Sequence, residues 1–345
     1  MTKSDGDGTN EGLLASLLRS SELGLLLAIG VILAAIYLLD RQGGFFTPNS
    51  LRTIVHNAAM FGILSLGAAV VIIAGGIDLS VGSVVALSSV VASGLVMEWL
   101  PRLAGVLKGP TPSSFVPPEW VVPVAVGLTL VLGVAIGVSH AAMINKLRLP
   151  PFIATLATMA GLRSLAMILS NNRTITVKIP TFRVLGNDPW FTVPIFLVAA
   201  LLMHVMMSRT VLGRHLYALG GNEAAARLSG LRPQRLKTIV YGLAGFLSAL
   251  GGILFAGKSG QGAAAMGVSY ELFAITAAVV GGCGLSGGIG TIRGTVLGLI
   301  LIQCVIKGTG QVVRGIDSTQ IEGLVLGTVI VLAVALNQRF RLRRE

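Results

Sequence analysis

The sequence predicts an all-α polytopic membrane protein of about ten transmembrane helices, with a short cytoplasmic helix and broken or glycine-rich helix ends. Three observations carry this. Hydrophobic residues make up 53% of the 345 and charged ones 12%, and the mean hydropathy of +0.84 is one that no water-soluble domain of this length sustains. The apolar residues gather in stretches long enough to cross roughly 30 Å of hydrocarbon at about 1.5 Å per residue. Glycine, at 45 residues, is abundant even for membrane helices, which suits close helix packing and interrupted spans. The net charge of +12 does not call for nucleic acid, because the bases cluster at segment ends, where they orient helices in a lipid bilayer. Two cysteines, Cys283 and Cys304, both in apolar segments, provide neither a disulfide framework nor a metal site.

Residues 1–20 are polar, carry Lys3 and Arg19, and have neither an early apolar core nor a small-residue cleavage site. They read as a cytoplasmic tail and not as a signal peptide. Spans are expected at 22–39, 53–74, 80–100, 120–143, 152–170, 190–208, 238–257, 269–284, 291–307 and 319–337, forming one transmembrane domain over 21–338. The tail 339–345 is basic through Arg339, Arg341, Arg343 and Arg344. Pro110, Pro112, Pro117 and Pro118 keep the outer segment Pro101 to Pro118 from being helical throughout.

The loop 209–237 is the longest strongly charged interval between apolar segments. Arg209, Arg214, Arg227, Arg232, Arg235 and Lys237 face one acid, Glu223. The positive-inside rule therefore puts this loop, and with it both chain ends, in the cytoplasm. Within it, Ala224, Ala225 and Ala226 follow a Gly220-Gly221-Asn222 turn. They predict a short helix with Asn222 as N-cap and Glu223 in the first turn, stopped by Gly230 and Pro233. Small-sided and ringed by bases, this helix suits the grip of a soluble partner. As an amphipathic connector on lipid it would gain little from its alanines.

Two glycine strings interrupt the spans. Gly75 to Ser83 (GGIDLSVGS) carries the one charge between Thr53 and Met97, Asp78, and reads either as a functional break in a membrane-embedded helix or as a capped turn. Gly281 to Gly288 (GGCGLSGG) repeats it at Gly75/Gly281, Gly76/Gly282, Leu79/Leu285, Ser80/Ser286 and Gly82/Gly288, hinting at two related halves. Gly252 to Ser259 fits the phosphate-loop pattern GxxxxGKS, but it ends a membrane helix and lacks the strand before and the helix after. Buried carboxylates of the kind an ion-driven carrier needs are few, namely Asp78, Glu271 and Glu322. Asn57, Ser65, Thr155, Thr158, Asn171, Asn172 and Gln303 could line a path for a neutral hydroxylated solute, although such residues also bond to backbone. The scattered histidines, His56, His140, His204 and His215, form no catalytic pattern, so the chain does not read as an enzyme.

Four strings, GGIDLSVGS at 75–83, PPFIATLATMAGLRSLA at 150–166, LGRHLYALGGNEAAARLSGL at 212–231 and GGCGLSGGIGTIRGTVLG at 281–298, resemble permease subunits of monosaccharide-importing ATP-binding cassette systems. The likeness to the ribose, xylose, galactose and autoinducer-2 type covers about residues 45–338. It implies a second permease copy or sister permease, a partner ATPase that binds ATP and Mg, and an extracytoplasmic solute-binding protein that sets specificity. No cofactor is expected in this chain itself. The resemblance implies ATPase coupling by Gly220, Gly221, Asn222, Glu223, Ala225, Ala226, Ser229 and Gly230. It implies a translocation core of Gly76, Asp78, Leu79, Ser80 and Gly82, to which the polar and glycine readings add Asn57, Thr155, Gly287 and Gly288. The chain departs from the family pattern at Cys283, Gly284 and Ile289 and in the long Pro101 to Pro118 loop. The alternative expectation is an ion-coupled secondary carrier for a small polar solute.

Overall fold

A computed structural model of the chain describes residues 21–41, 43–112, 114–312, 323–328 and 331. Its helices are α1 (Ser21–Leu39), α2 (Pro48–Ile73), α3 (Val81–Gly94), α4 (Val121–Lys146), α5 (Pro151–Leu169) and α6 (Pro180–Asn187). They continue with α7 (Pro189–Arg209), α8 (Val211–Gly221), α9 (Glu223–Leu228), α10 (Pro233–Ser259), α11 (Tyr270–Val280) and α12 (Ile292–Val312). Past Gly94, α3 runs on through a π-helical turn, Leu95–Trp99, and a last turn, Leu100–Leu103. A two-residue ladder pairs Ile175 with Gly262 and Thr176 with Gln261.

Among the described residues, eight helices are long and apolar enough to cross a membrane. They match the first seven expected spans and the ninth to within a few residues. Proline at the first helical position sets the start of α2, α5, α7 and α10, where its missing N–H costs nothing. The expected span 269–284 is corrected. Its helix, Tyr270–Val280, has 11 residues, about 16 Å, and crosses only half a membrane. Of the expected tenth span, 319–337, most lies outside the described residues, as do the tails 1–20 and 339–345.

The centre of the bundle is α10, which packs against α2, α3, α4 and α6. Its contact with α4 is a seam of glycines. A Cβ on Gly137 would overlap the Tyr241 carbonyl, and one on Gly133 would lie 2.5 Å from the Gly245 carbonyl. Small residues let the two backbones meet where lipid offers no hydrophobic push between helices. Both α2 and α3 are buried along nearly their whole length, whereas α1, α5 and α7 turn most of their surface outward.

Two non-helical stretches penetrate this bundle. After α2 the chain re-enters as Gly75–Ser80, and after α10 it descends through 260–269 to start α11 beside Phe61, midway along α2, with Phe61 and Phe273 stacked at 4.2 Å. Irregular backbone at this depth must find partners inside the protein, and α5 supplies them. Thr155 Oγ1 accepts from the Leu79 amide (3.1 Å) and donates to the Ile77 carbonyl (3.2 Å). Two turns further on, Arg163 donates to the carbonyls of Ala264 (2.8 Å) and Met266 (3.3 Å).

Candidate functional site

Three segments distant in sequence converge at one end of the bundle: the end of α2 with Gly75–Ser80, the α8–α9 pair, and the loop 281–291. Thr210 starts α8 as its N-cap, its hydroxyl accepting from the Gly213 amide at 3.2 Å. The C-terminal turn of α8 then wedges between the other two segments. Gly75 adopts φ +82° and Gly287 φ +84°, backbone that side chains rarely allow. A Cβ at Gly75 would lie 3.4 Å from Gly220 Cα, and one at Gly287 would lie 2.6 Å from the Gly220 carbonyl and 2.8 Å from Gly75 Cα. The amide of Gly288 donates to the Ile73 carbonyl (2.8 Å), and the Tyr217 hydroxyl donates to the Gly290 carbonyl (2.7 Å). The glycines are therefore what permits three backbones to share one joint.

From this joint α9 projects. Asn222 Oδ1 accepts from the Ala225 amide at 2.9 Å, the expected cap. At the other end, the Gly230 amide returns to the Arg227 carbonyl and the Leu231 amide to the Ala226 carbonyl, a Schellman stop. Ala226 is buried toward the protein, while Ala224, Ala225 and Ser229 are exposed and Leu228 is 90% exposed. An apolar tip held out on a capped helix is an exposed knob, which the sequence reading, attending to the alanines, did not single out. Glu223 anchors the helix base, pairing with Arg227 at 3.2 Å and with Lys237, on α10, at 2.8 Å.

Behind the knob lies a cavity of about 240 Å³, lined by residues that include Gly75, Gly76, Gly220, Asn222, Glu223, Lys237, Tyr241 and Ser286. Deeper still, Asp78 is 4% exposed, and its Oδ1 accepts from the Ser80 amide (2.8 Å) and hydroxyl (2.6 Å). The first glycine string is therefore a buried turn and not a surface one. Asp78 serves the turn itself, and Ser80, in the N-cap position of α3, makes no side-chain cap bond.

The structure sorts the residues expected in a translocation core into three places. Gly287 and Gly288 belong to the joint with α8, and Gly76 lies beside it against Tyr241 of α10, lining the same cavity as Gly220. Asp78, Leu79, Ser80, Gly82 and Thr155 sit together in the interior, where a Cβ on Gly82 would overlap the Gly267 carbonyl and the Glu271 carboxylate. Asn57 lies toward the opposite end of the bundle and accepts from Lys258 Nζ at 2.7 Å. That lysine belongs to the GxxxxGKS string, which is the helical end of α10 and not a phosphate loop. Residues with no local sequence signal also enter: Tyr217, Tyr241 beside Gly76, and His140, whose ring meets Tyr241 edge-on at 6.3 Å.

The two glycine strings are related in a register shifted by one. Gly75 and Gly76 return to the Ile72 and Val71 carbonyls just as Gly282 and Cys283 return to those of Val279 and Ala278. Each string thus closes a helix with the same stop, and Cys283 takes the place of Gly76.

A family model described as "Branched-chain amino acid transport system / permease component" matches residues 50–334. The ribose import permease protein RbsC of Bacillus subtilis is 32% identical over 324 residues, 92% of this chain and 93% of that protein. RbsC of Escherichia coli (strain K12) is 36% identical over 326 residues, 91% of this chain and 92% of its own length. The galactose/methyl galactoside import permease protein MglC of Haemophilus influenzae is 30% identical over 326 residues, 91% of each. No solved structure is significantly similar to the chain. With a family match across most of its length, and relatives that are transport components and not enzymes, the chain belongs to the permease-component family of ATP-binding cassette importers.

Proposed function

We propose that this subunit passes a monosaccharide inward across a bacterial inner membrane, by alternating access driven by a partner ATPase seated on α9. The observation that carries the reading is the exposed, doubly capped helix Glu223–Leu228, rooted on the joint of Gly75, Gly220 and Gly287. A helix placed there delivers force to the irregular segments inside the bundle and not merely to a surface. ATP and Mg belong to the ATPase, whose tighter hold on ATP in one arrangement biases the permease between its two openings. A second permease copy completes the path, and a solute-binding protein delivers the sugar on the opposite side. Both chain ends lie in the cytoplasm, on the side of the basic 209–237 loop. A sugar is favoured over an amino acid because the full-length relatives quoted above are named for ribose and galactose.

The test uses the complex expressed from its own genes. The chain should copurify with an ATPase, and proteoliposomes holding the complex and its binding protein should import radiolabelled ribose or galactose only with ATP inside. Ala225→Glu, on the exposed face of α9, should abolish uptake while membrane insertion persists. Normal import by that variant, or import driven by an ion gradient without ATPase, sinks the reading.

A further inference from the structure

The first three turns of α10 touch both α9 and the Gly75–Ser80 segment. Lys237 Nζ donates to Glu223 Oε2 at 2.8 Å, and its side chain is only 19% exposed. The other partner of Glu223, Arg227, lies on α9 itself and is 60% exposed, so among the described residues Lys237 makes the ion pair that ties the short helix to a spanning one. One turn on, Tyr241 is 3% exposed, and its hydroxyl would stand 2.5 Å from a Cβ on Gly76. That hydroxyl has no hydrogen-bond partner among the described residues, so the ring is held by packing.

Positions i and i+4 share a helix face. This face of α10 lines the cavity together with Gly76, Asn222 and Glu223. As a whole α10 is a continuous rod of 27 residues, about 40 Å, whose far end holds Asn57 through Lys258. Its seam with α4 is formed by Gly133, Gly137, Gly242 and Gly245, with Val134, Val138 and Ala249 beside them, so the two backbones run in close contact.

We propose that Lys237 and Tyr241 are positioning residues that carry a displacement of α9 into the Gly75–Ser80 segment. Lys237 receives the movement from Glu223, and Tyr241 presses on the backbone at Gly76, two residues before Asp78. This rests on the coupling role of α9 proposed above.

The experiment uses the intact complex in proteoliposomes and reads ribose imported per ATP hydrolysed, a ratio that a loss of folded protein does not move. Lys237→Gln should lower that ratio roughly two- to fivefold, the span that loss of a partly exposed ion pair allows. Lys237→Arg should restore most of it, and so should the charge exchange Glu223→Lys with Lys237→Glu. Tyr241→Ala, which empties the space over Gly76, should lower the ratio while the Lys237–Glu223 pair stays in place. An unchanged ratio in both Lys237→Gln and Tyr241→Ala overturns the proposal. So does a parallel fall of assembled complex, hydrolysis and uptake that leaves the ratio intact. A cysteine at Leu228 separates the two levels of inference. If it fails to crosslink to the ATPase the coupling role of α9 is wrong, whereas crosslinking with an unchanged ratio overturns only the part given to Lys237 and Tyr241.

Discussion

Glu223 is held by opposing influences. Burial alone would raise its carboxyl, but the hydrogen bonds and charges of Lys237 and Arg227 together outweigh it and hold the group below the usual carboxylate range. A carboxyl depressed in the folded state contributes fully above its unfolded value, about 4.3, and loses that contribution as pH falls through the folded value. Acidification below about pH 4 should therefore loosen α9 from α10. Spin labels at Leu228 and Gln234 should report a wider distance distribution there than at pH 6, and Glu223→Gln should be loose at both. The effect is small, since a pair this open is worth about 0.2–1 kcal/mol. A distribution unchanged by acid would show that the pair does not hold the helix. The cap at Asn222 and the acid beside it were legible in sequence because capping is local, a matter of three or four residues. The Lys237 partner was not, because 14 residues and a turn separate it from Glu223. Tyr241 against Gly76 spans more still, and nothing in either residue's neighbours announces the other.

The glycine seam gives α4 and α10 their spacing, and it is the place where added volume has nowhere to go. Gly137→Leu would drive a side chain into the Tyr241 carbonyl, and overpacking of this kind costs about 1–3 kcal/mol. The purified variant should melt several degrees below the parent by fluorescence-detected gel filtration, while a leucine at outward-facing Ala160 should not lower it. Equal melting of the two variants would mean that the helices readily part at the seam. Span starts were legible to within a residue at Pro151 and Pro189, where the apolar run begins at the proline. In contrast, α2 and α10 begin at Pro48 and Pro233, five residues before the expected starts, because their first turns are polar. The half-span Tyr270–Val280 was not legible. Hydropathy counts the apolar residues of 269–284 without registering that the helix stops at Val280 and that 281–284 already belong to the following loop. The helix α8 was hidden for a related reason, since its capping Thr210 and its glycine pair look like the ends of a turn. The register between the two glycine strings was misread by one, because letters were aligned where the hydrogen-bonded stop is what repeats.

Across the whole molecule, the fold class and the transport role were legible because composition, charge placement and four separate strings agree on them. What joins Gly75, Gly220 and Gly287 was not, since convergence of three loops is a property of packing. Sidedness is the remaining global expectation. A membrane-impermeant maleimide added to spheroplasts should label a cysteine at exposed Val116 and spare one at exposed Leu228 until the membrane is opened. The reverse pattern would invert the topology. The three-glycine joint also bears on attempts to build hybrids. A transplant of residues 210–231 from a relative, made to recruit a foreign motor, would carry only one of three mutually fitted surfaces. Such a chimera should work only when 71–80 and 281–291 travel with it, so that these three stretches form the smallest exchangeable module of the protein.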